Sequence, residues 1–161
     1  MTSPIPEGYH SLTAYIVVPD AKQAIAFYEK AFGAVAVMHM PGLGGQGTMH
    51  AEIKIGDSHL MLTDENPNWE LKSSQTLGGS PVSFMVYLED CDAAFAQAIE
   101  AGCTEKLPLA NMFWGDRMGK VVDPFGIEWS LTTHKEDVPP EEMPARQQKW
   151  LEEMQQQNAA N

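Results

Sequence analysis

The chain has 161 residues, 43% of them apolar, and a formal net charge of −12 at pH 7. This length and apolar content predict one globular domain with a hydrophobic core. No run approaches the ~18 apolar residues that a membrane-spanning helix needs. The negative charge opposes binding to nucleic acid or to anionic lipid, because neutralising phosphate groups requires Lys and Arg.

The N-terminal sequence and the cysteines both favour a cytoplasmic location. Residues 1–10, MTSPIPEGYH, lack the basic segment and apolar run of a secretory signal. Cys91 and Cys103 lie at opposite ends of one predicted helix, a poor distance for a disulfide. Two unpaired cysteines without metal-ligand spacing suit a reducing compartment.

The first half of the chain predicts a βαβββ module at about residues 12–64. Residues 12–18, LTAYIVV, are apolar and β-branched and indicate a strand. Asp20 is a good N-cap with Gln23 in the capping-box position, and Gly33 is a natural helix end. Three further strands are predicted at 35–40, 49–55 and 59–63.

The same order of signals returns after a polar connection, residues 65–81. Shifted by about 70 residues, the first strand falls on the next one and Asp20 falls on Asp90. Gly102 closes the second helix. The second module therefore covers about residues 82–133, and two copies indicate a paired-module domain rather than a solenoid.

The last hairpin lies within residues 111–131 and has the turn signal DPFG at 123–126. It is rich in aromatic residues and contains Arg117, one of two arginines in the chain. It is either a well-packed sheet edge or the wall of a small-molecule pocket, in which Arg117 binds a carboxylate or phosphate. A structural alternative is an ion pair of Arg117 with Asp116 or Asp123.

A second group of ionisable residues lies in the first module. His50 and Glu52 lie two positions apart and therefore on one face of a predicted strand, so they can act together as a general base or as half of a metal site. They are also compatible with a satisfied or exposed pair that has no function. His39 and His134 lie next to loops and are assigned no role.

The tail, residues 135–161, follows a domain that spans 1–134. Residues 138–142, VPPEE, resemble a helix start, with Pro and acids in the first turn. Apolar residues then recur on one face. This face either docks on the domain or a dimer, or forms a separate partner motif.

Five segments follow one another along the chain: AIAFYEKAFGA (24–34), HAEIKIGDSHLML (50–62), LGGSPV (77–82), FWGDRMGKVVDPFGIEW (113–129) and HKEDVPPEE (134–142). In this order they resemble the PhnB-like branch of the vicinal oxygen chelate superfamily, which includes glyoxalase I, bleomycin-resistance and fosfomycin-resistance proteins and extradiol dioxygenases. The resemblance implies an α+β fold in which two tandem βαβββ modules form a curved eight-stranded mixed sheet around a cavity, followed by a C-terminal helical tail. It also implies a homodimer.

Metal-dependent members of that superfamily place one His or Glu ligand on each of four strands. Aligned through the repeat, those positions hold Thr13, Met61, Ser83 and Ser130, none of which is His, Glu, Asp or Cys. We therefore expect no metal, no cofactor and a metal-independent protein that binds a small molecule, which is anionic if Arg117 takes part. The candidate ligand-binding residues are Tyr15, His50, Glu52, Trp114, Asp116, Arg117 and Trp129.

Two alternatives remain open. One is a divalent-metal-dependent lyase or isomerase with a displaced site around His50 and Glu52. The other is a structural or regulatory dimer without a ligand. No catalytic residue is assigned, because the sequence has no nucleophile elbow and no dinucleotide fingerprint.

Overall fold

A computed structural model describes residues 3–159. Residues 1–2 of the predicted domain (1–134) and residues 160–161 of the predicted tail (135–161) lie outside the described residues. The predicted α+β fold with two tandem βαβββ modules and a C-terminal helix is confirmed. The first module is β1 (Ala14–Val18), α1 (Ala21–Phe32), β2 (Val35–Pro41), β3 (Thr48–Ile55) and β4 (Ser58–Asp64). After α2 (Ser74–Leu77), the second is β5 (Ser83–Tyr87), α3 (Cys91–Ala101), β6 (Thr104–Asn111), β7 (Asp116–Val122) and β8 (Glu128–His134), and the tail holds α4 (Met143–Ala159).

The eight strands form two four-stranded mixed sheets that do not close on each other. The strand orders are β1-β4-β3-β2 and β5-β8-β7-β6. In each sheet the first strand pairs in parallel with the last, and the other pairs are antiparallel. Within residues 3–159, β1 and β5 are therefore edge strands whose outer backbone groups lack a ladder partner.

The local signals for helix ends act as predicted. The Asp20 side chain accepts a hydrogen bond from the backbone N–H of Gln23, and Asp90 does the same for Ala93. Each bond satisfies one amide that the first helical turn leaves free. Gly33 ends α1 with φ of 65°, a left-handed conformation that glycine adopts without a Cβ penalty.

The core lies between the helices and the sheets: α3 covers the second sheet, and α1 covers the first sheet and reaches the second through its aromatic side chains. On the first sheet the buried side chains under the helix are Ile16, Ala51, Ile53 and Leu62. On the second, the Tyr28 and Phe32 rings lie 5.4 and 4.7 Å from the ring of Trp129. Because successive strand side chains point to opposite faces, the alternate residues of each sheet face away from the helices. We call these surfaces the open faces.

The polar connection between the modules is ordered. One carboxylate oxygen of Glu65 accepts hydrogen bonds from the Ser73 backbone N–H and the Thr76 hydroxyl, at 2.9 and 2.7 Å. Ser73 is fully buried and caps α2. The connection therefore packs onto the modules that it joins.

The tail is fixed to the loop that precedes β7. The backbone N–H groups of Lys135 and Glu136 both donate to the Gly115 carbonyl oxygen at 3.0 Å. Arg146 forms a forked hydrogen-bonded pair with Glu136, and the ring of Trp150 on α4 lies 5.6 Å from that of Phe113. The tail helix thus docks on its own chain, one of the two arrangements that the sequence left open.

No helix within residues 3–159 has the length and apolar character to cross a membrane.

Candidate functional site

The open face of the first sheet brings together three of the predicted ligand-binding residues. Tyr15, Met61 and Glu52 are cross-strand neighbours on β1, β4 and β3. His50 Nε2 lies 3.0 Å from Glu52 Oε1, and His50 Nδ1 lies 3.2 Å from the Tyr15 hydroxyl oxygen. A carboxylate only accepts, so in a neutral imidazole Nε2 donates to Glu52 and Nδ1 accepts from Tyr15.

A tyrosine ahead of β1 completes this network. The Tyr9 hydroxyl donates to Glu52 Oε2, and the Tyr9 ring stacks on His59 with centroids 4.1 Å apart. Burial acts to raise the pKa of Glu52, but hydrogen bonds from His50 and Tyr9 outweigh it and lower the value. The bond to Glu52 raises the pKa of Tyr9 to about 12. Glu52 is therefore a carboxylate held by two donors.

No sequence pattern identified Tyr9 as a site residue, since 43 positions separate it from Glu52. It lies in a segment without strand or helix periodicity. Only the path of the chain across the sheet brings the two side chains together.

The open face of the second sheet carries a separate polar cluster around Asp116. Asp116 is a buried carboxylate that accepts from Trp114 Nε1 at 2.9 Å and from the Tyr87 hydroxyl at 3.2 Å. His134 Nδ1 lies 2.7 Å from Asp116 Oδ1, and its Nε2 lies 2.9 Å from Asp137 Oδ1. The hydrogen bonds to Asp116 and then Asp137 raise the pKa of His134, because both favour the imidazolium.

Two of the predicted residues, Trp114 and Asp116, therefore meet in this cluster, but His134 and Tyr87 were missed as members. The alternation of strand β8 places His134 on the same face as Glu128. The alternation of strand side chains therefore predicts the face on which His134 lies, but it does not predict that His134 pairs with Asp116.

Arg117 and Trp129 lie on the helix-facing side of the second sheet, away from both polar clusters. Arg117 donates to Asp92 on α3 through Nε and Nη2, both at 2.6 Å, and to Asn111 through Nη1 at 3.3 Å. Arg117 therefore forms an ion pair, but its partner is Asp92, and the expected partners Asp116 and Asp123 are wrong. Arg117 follows Asp116 directly in β7, so the two side chains point to opposite faces.

We expect Arg117→Lys to lower the melting temperature slightly and to leave ligand affinity unchanged. A lysine cannot reproduce the planar fork that grips both carboxylate oxygens of Asp92. Thermal unfolding and a binding titration measure the two effects. Arg146→Lys, which alters the other forked pair, is the matched control. Reduced affinity at unchanged stability would instead assign Arg117 to ligand recognition.

A groove of about 1040 Å³ separates the two edge strands β1 and β5. Its walls are mainly apolar and aromatic. They come from both strands, from the turn after β3 and from the connection between the modules. The groove reaches the first polar cluster at Tyr15 and His59. Its lining includes Tyr15, Ile16, Leu77, Phe84, Met85 and Trp129.

Comparison with known proteins agrees with this architecture. The model of the Glyoxalase/Bleomycin resistance protein/Dioxygenase superfamily matches residues 9–131. The uncharacterized protein Rv0887c of Mycobacterium tuberculosis is 43% identical over 124 residues, which are 75% of this chain and 72% of that protein. The chain therefore belongs to the Glyoxalase/Bleomycin resistance protein/Dioxygenase superfamily, as its sequence motifs indicated.

Solved structures share the fold. The crystal structure of TioX from Micromonospora sp. ML1 superposes with a TM-score of 0.62 at 23% identity, over 78% of this chain and 98% of TioX. The structure of a PhnB protein from Bacillus cereus, described as a putative 3-demethylubiquinone-9 3-methyltransferase, superposes with a TM-score of 0.58 at 18% identity. The match covers 77% of this chain and 99% of that protein. The resemblance to PhnB-like members is thus confirmed at the level of the fold.

The four positions that the sequence resemblance aligns with metal ligands hold Thr13, Met61, Ser83 and Ser130, whose side chains do not fit a transition metal. Hydroxyls and a thioether are weak ligands for such ions. Lys120, the direct cross-strand neighbour of Ser130, offers an ammonium group that cannot act as a metal ligand and that lies 3.4 Å from the Glu128 carboxylate. The displaced alternative at His50 and Glu52 also lacks a third ligand, since residues 3–159 contain no group of three His, Cys, Asp or Glu side chains placed to hold a metal.

Proposed function

We propose that the protein is a metal-independent binding protein for an aromatic small molecule, held at the open face of the first sheet. The observation that carries this proposal is the chemistry at the vacated ligand positions. Ser130 has Lys120 beside it, and Met61 lies between Tyr15 and Glu52. A protein that used a metal here would need at least three strong donors converging on the same point.

The side chains of this face define the ligand. Tyr15 is 49% exposed and offers an aromatic surface, while Met38 and Met61 offer polarizable thioethers. Glu52 adds a negative charge that repels anions and accepts N–H or O–H donors. The ligand is therefore an aromatic compound, neutral or cationic, with at least one donor group.

We expect the purified protein to bind no divalent transition metal at the level of one ion per chain. The test is equilibrium dialysis against Zn²⁺, Mn²⁺ and Ni²⁺, followed by metal analysis, because these ions cover the usual preferences for nitrogen and oxygen ligands. His50→Gln is the control. A stoichiometric ion in the wild type that is lost in His50→Gln would overturn the proposal in favour of a metal-dependent lyase or isomerase.

Ligand binding is tested directly by a thermal-shift screen. Aromatic amines and phenols should stabilise the protein, whereas aromatic carboxylates of the same size should not, because binding to the folded state raises the melting temperature. Glu52→Gln removes the charge and should weaken the response. A screen in which no compound raises the melting temperature would favour a structural or regulatory dimer without a ligand.

The protein acts as a homodimer in this proposal. No strand in the described part of the chain pairs with the outer edges of β1 and β5. Exposed apolar side chains border the groove between these two strands, including Leu77, Val82, Met85 and Tyr87. A second copy would cover these edges and bury this apolar surface. Light scattering that gives the mass of one chain at micromolar concentration would contradict the dimer.

A cytoplasmic location is part of the same proposal. Cys91 and Cys103 are free and buried, which is typical of proteins that fold in a reducing compartment.

A further inference from the structure

The segment before β1 lies across the first polar cluster and places one side chain in it. Tyr9 stacks on His59 with an interplanar angle of 19°, and its hydroxyl reaches Glu52. His59 Nδ1 lies 3.0 Å from the Gly8 carbonyl oxygen. A Cβ on Gly8 would lie 3.3 Å from His59 Cε1, so the absence of a side chain lets the backbone approach the ring.

The spacing of the two recognition groups matches a single phenol. Glu52 pairs with Met61, and His59 lies two residues before Met61 on β4. Diagonal neighbours of this kind are about 7–8 Å apart, so one ring can stack on the imidazole while its hydroxyl reaches the carboxylate. The Tyr9 side chain, which occupies this position in the structure, therefore shows that Glu52 and His59 together can bind a phenol.

The contacts that hold the segment are few. Apart from the contacts of Gly8 and Tyr9 with His59 and Glu52, the described bonds of residues 3–13 are a turn from Tyr9 N–H to the Pro6 carbonyl and a long bond from Thr13 Oγ1 to the His10 carbonyl. Both lie within the segment. Its attachment to the sheet therefore depends on the phenol and on the backbone contact with His59.

We propose that Glu52 and His59 form a binding site for phenolic compounds, and that Tyr9 occupies this site until a phenolic ligand displaces it. The proposal rests on the proposed function, because it names the ligand class and the regulation of the same sheet face. Tyr9 is then a built-in competitor. The apparent affinity for a ligand is reduced by the fraction of molecules in which the segment is closed.

The test uses the full-length chain and p-cresol, which is the side chain of tyrosine with a hydrogen atom in place of the backbone. Binding is followed by NMR titration of the amide signals of Glu52 and His59. Tyr9→Ala should bind p-cresol about tenfold more tightly than the wild type if the segment is closed about 90% of the time. Tyr9→Phe, which keeps the ring and loses the donor, should lie between them. Ile5→Ala, an exposed position in the same segment, should match the wild type.

Two comparisons make the result specific. Glu52→Gln in the Tyr9→Ala background should weaken p-cresol binding, and toluene, which lacks the hydroxyl, should bind more weakly than p-cresol to Tyr9→Ala. Equal affinities of the wild type and Tyr9→Ala, or binding unaffected by Glu52→Gln, would overturn the proposal. If a compound from the thermal-shift screen binds with an affinity that Glu52→Gln lowers and Tyr9→Ala leaves unchanged, the binding function stands and only this inference fails.

Discussion

Replacing Asp123 with Ala is expected to lower the free energy of unfolding by about 4 kcal/mol. Asp123 is 4% exposed. It accepts hydrogen bonds from the Tyr28 hydroxyl at 2.8 Å and from Trp129 Nε1 at 2.9 Å. The backbone N–H groups of Phe125 and Ile127 also donate to it, both at 2.9 Å. Without the carboxylate these donors stay buried and unsatisfied, and each such group costs about 1–3 kcal/mol.

Urea unfolding at neutral pH measures this effect. The matched control is Asp90→Ala, which removes the N-cap of α3 and should cost about 1 kcal/mol. The comparison sets Asp123, a buried carboxylate that joins α1 to the DPFG turn, against Asp90, an exposed carboxylate that caps α3 only. A loss for Asp123→Ala no larger than that for Asp90→Ala would contradict the central role of Asp123.

The pH dependence of the same residue has a definite sign. Burial raises the pKa of Asp123 and outweighs the four hydrogen bonds that act to lower it. A raised pKa in the folded state gives a contribution to stability that is complete below the unfolded value of about 3.9 and is lost as the pH rises through the folded value. We expect the wild type, relative to Asp123→Asn, to be more stable at about pH 4 than at about pH 7. The opposite slope would mean that the four donors outweigh burial.

Trp129→Ala is expected to lower the free energy of unfolding by about 4 kcal/mol, as large truncations in a packed core do. Trp129 is 2% exposed. The rings of Phe32, Phe84 and Tyr28 lie 4.7, 5.0 and 5.4 Å from its own. Removal of the indole therefore leaves a cavity between α1 and the second sheet, and it also frees one hydrogen-bond position on Asp123.

Trp69→Ala is the matched control, because Trp69 is 59% exposed and the same truncation there should change stability by no more than about 0.5 kcal/mol. Denaturant unfolding gives both values. The sequence offered Trp129 as a ligand-binding residue, and the variant tests that role too. If Trp129→Ala kept its stability but lost ligand affinity, Trp129 would be assigned to ligand binding instead of to the core.

The elements of the fold were available from the sequence, because local chemistry determines them. Asp20 and Asp90 cap helices in any context that leaves the first-turn amides free. Gly33 ends a helix because its backbone adopts positive φ. His50 and Glu52 share a face because strand side chains alternate with a period of two, so their pairing was predictable without any knowledge of the sheet.

The sequence alone determined the family, the tandem modules and the neighbours within single strands. Only the tertiary structure decided which face of each strand meets a helix. It placed Arg117 and Trp129 under helices, and it placed Asp116 on an open face. It also brought Tyr9 to Glu52. The physical reason is that alternation fixes the relative orientation of neighbouring side chains, whereas the packing of α1 on the first sheet and of α3 on the second selects the buried side. That packing joins residues far apart in the chain.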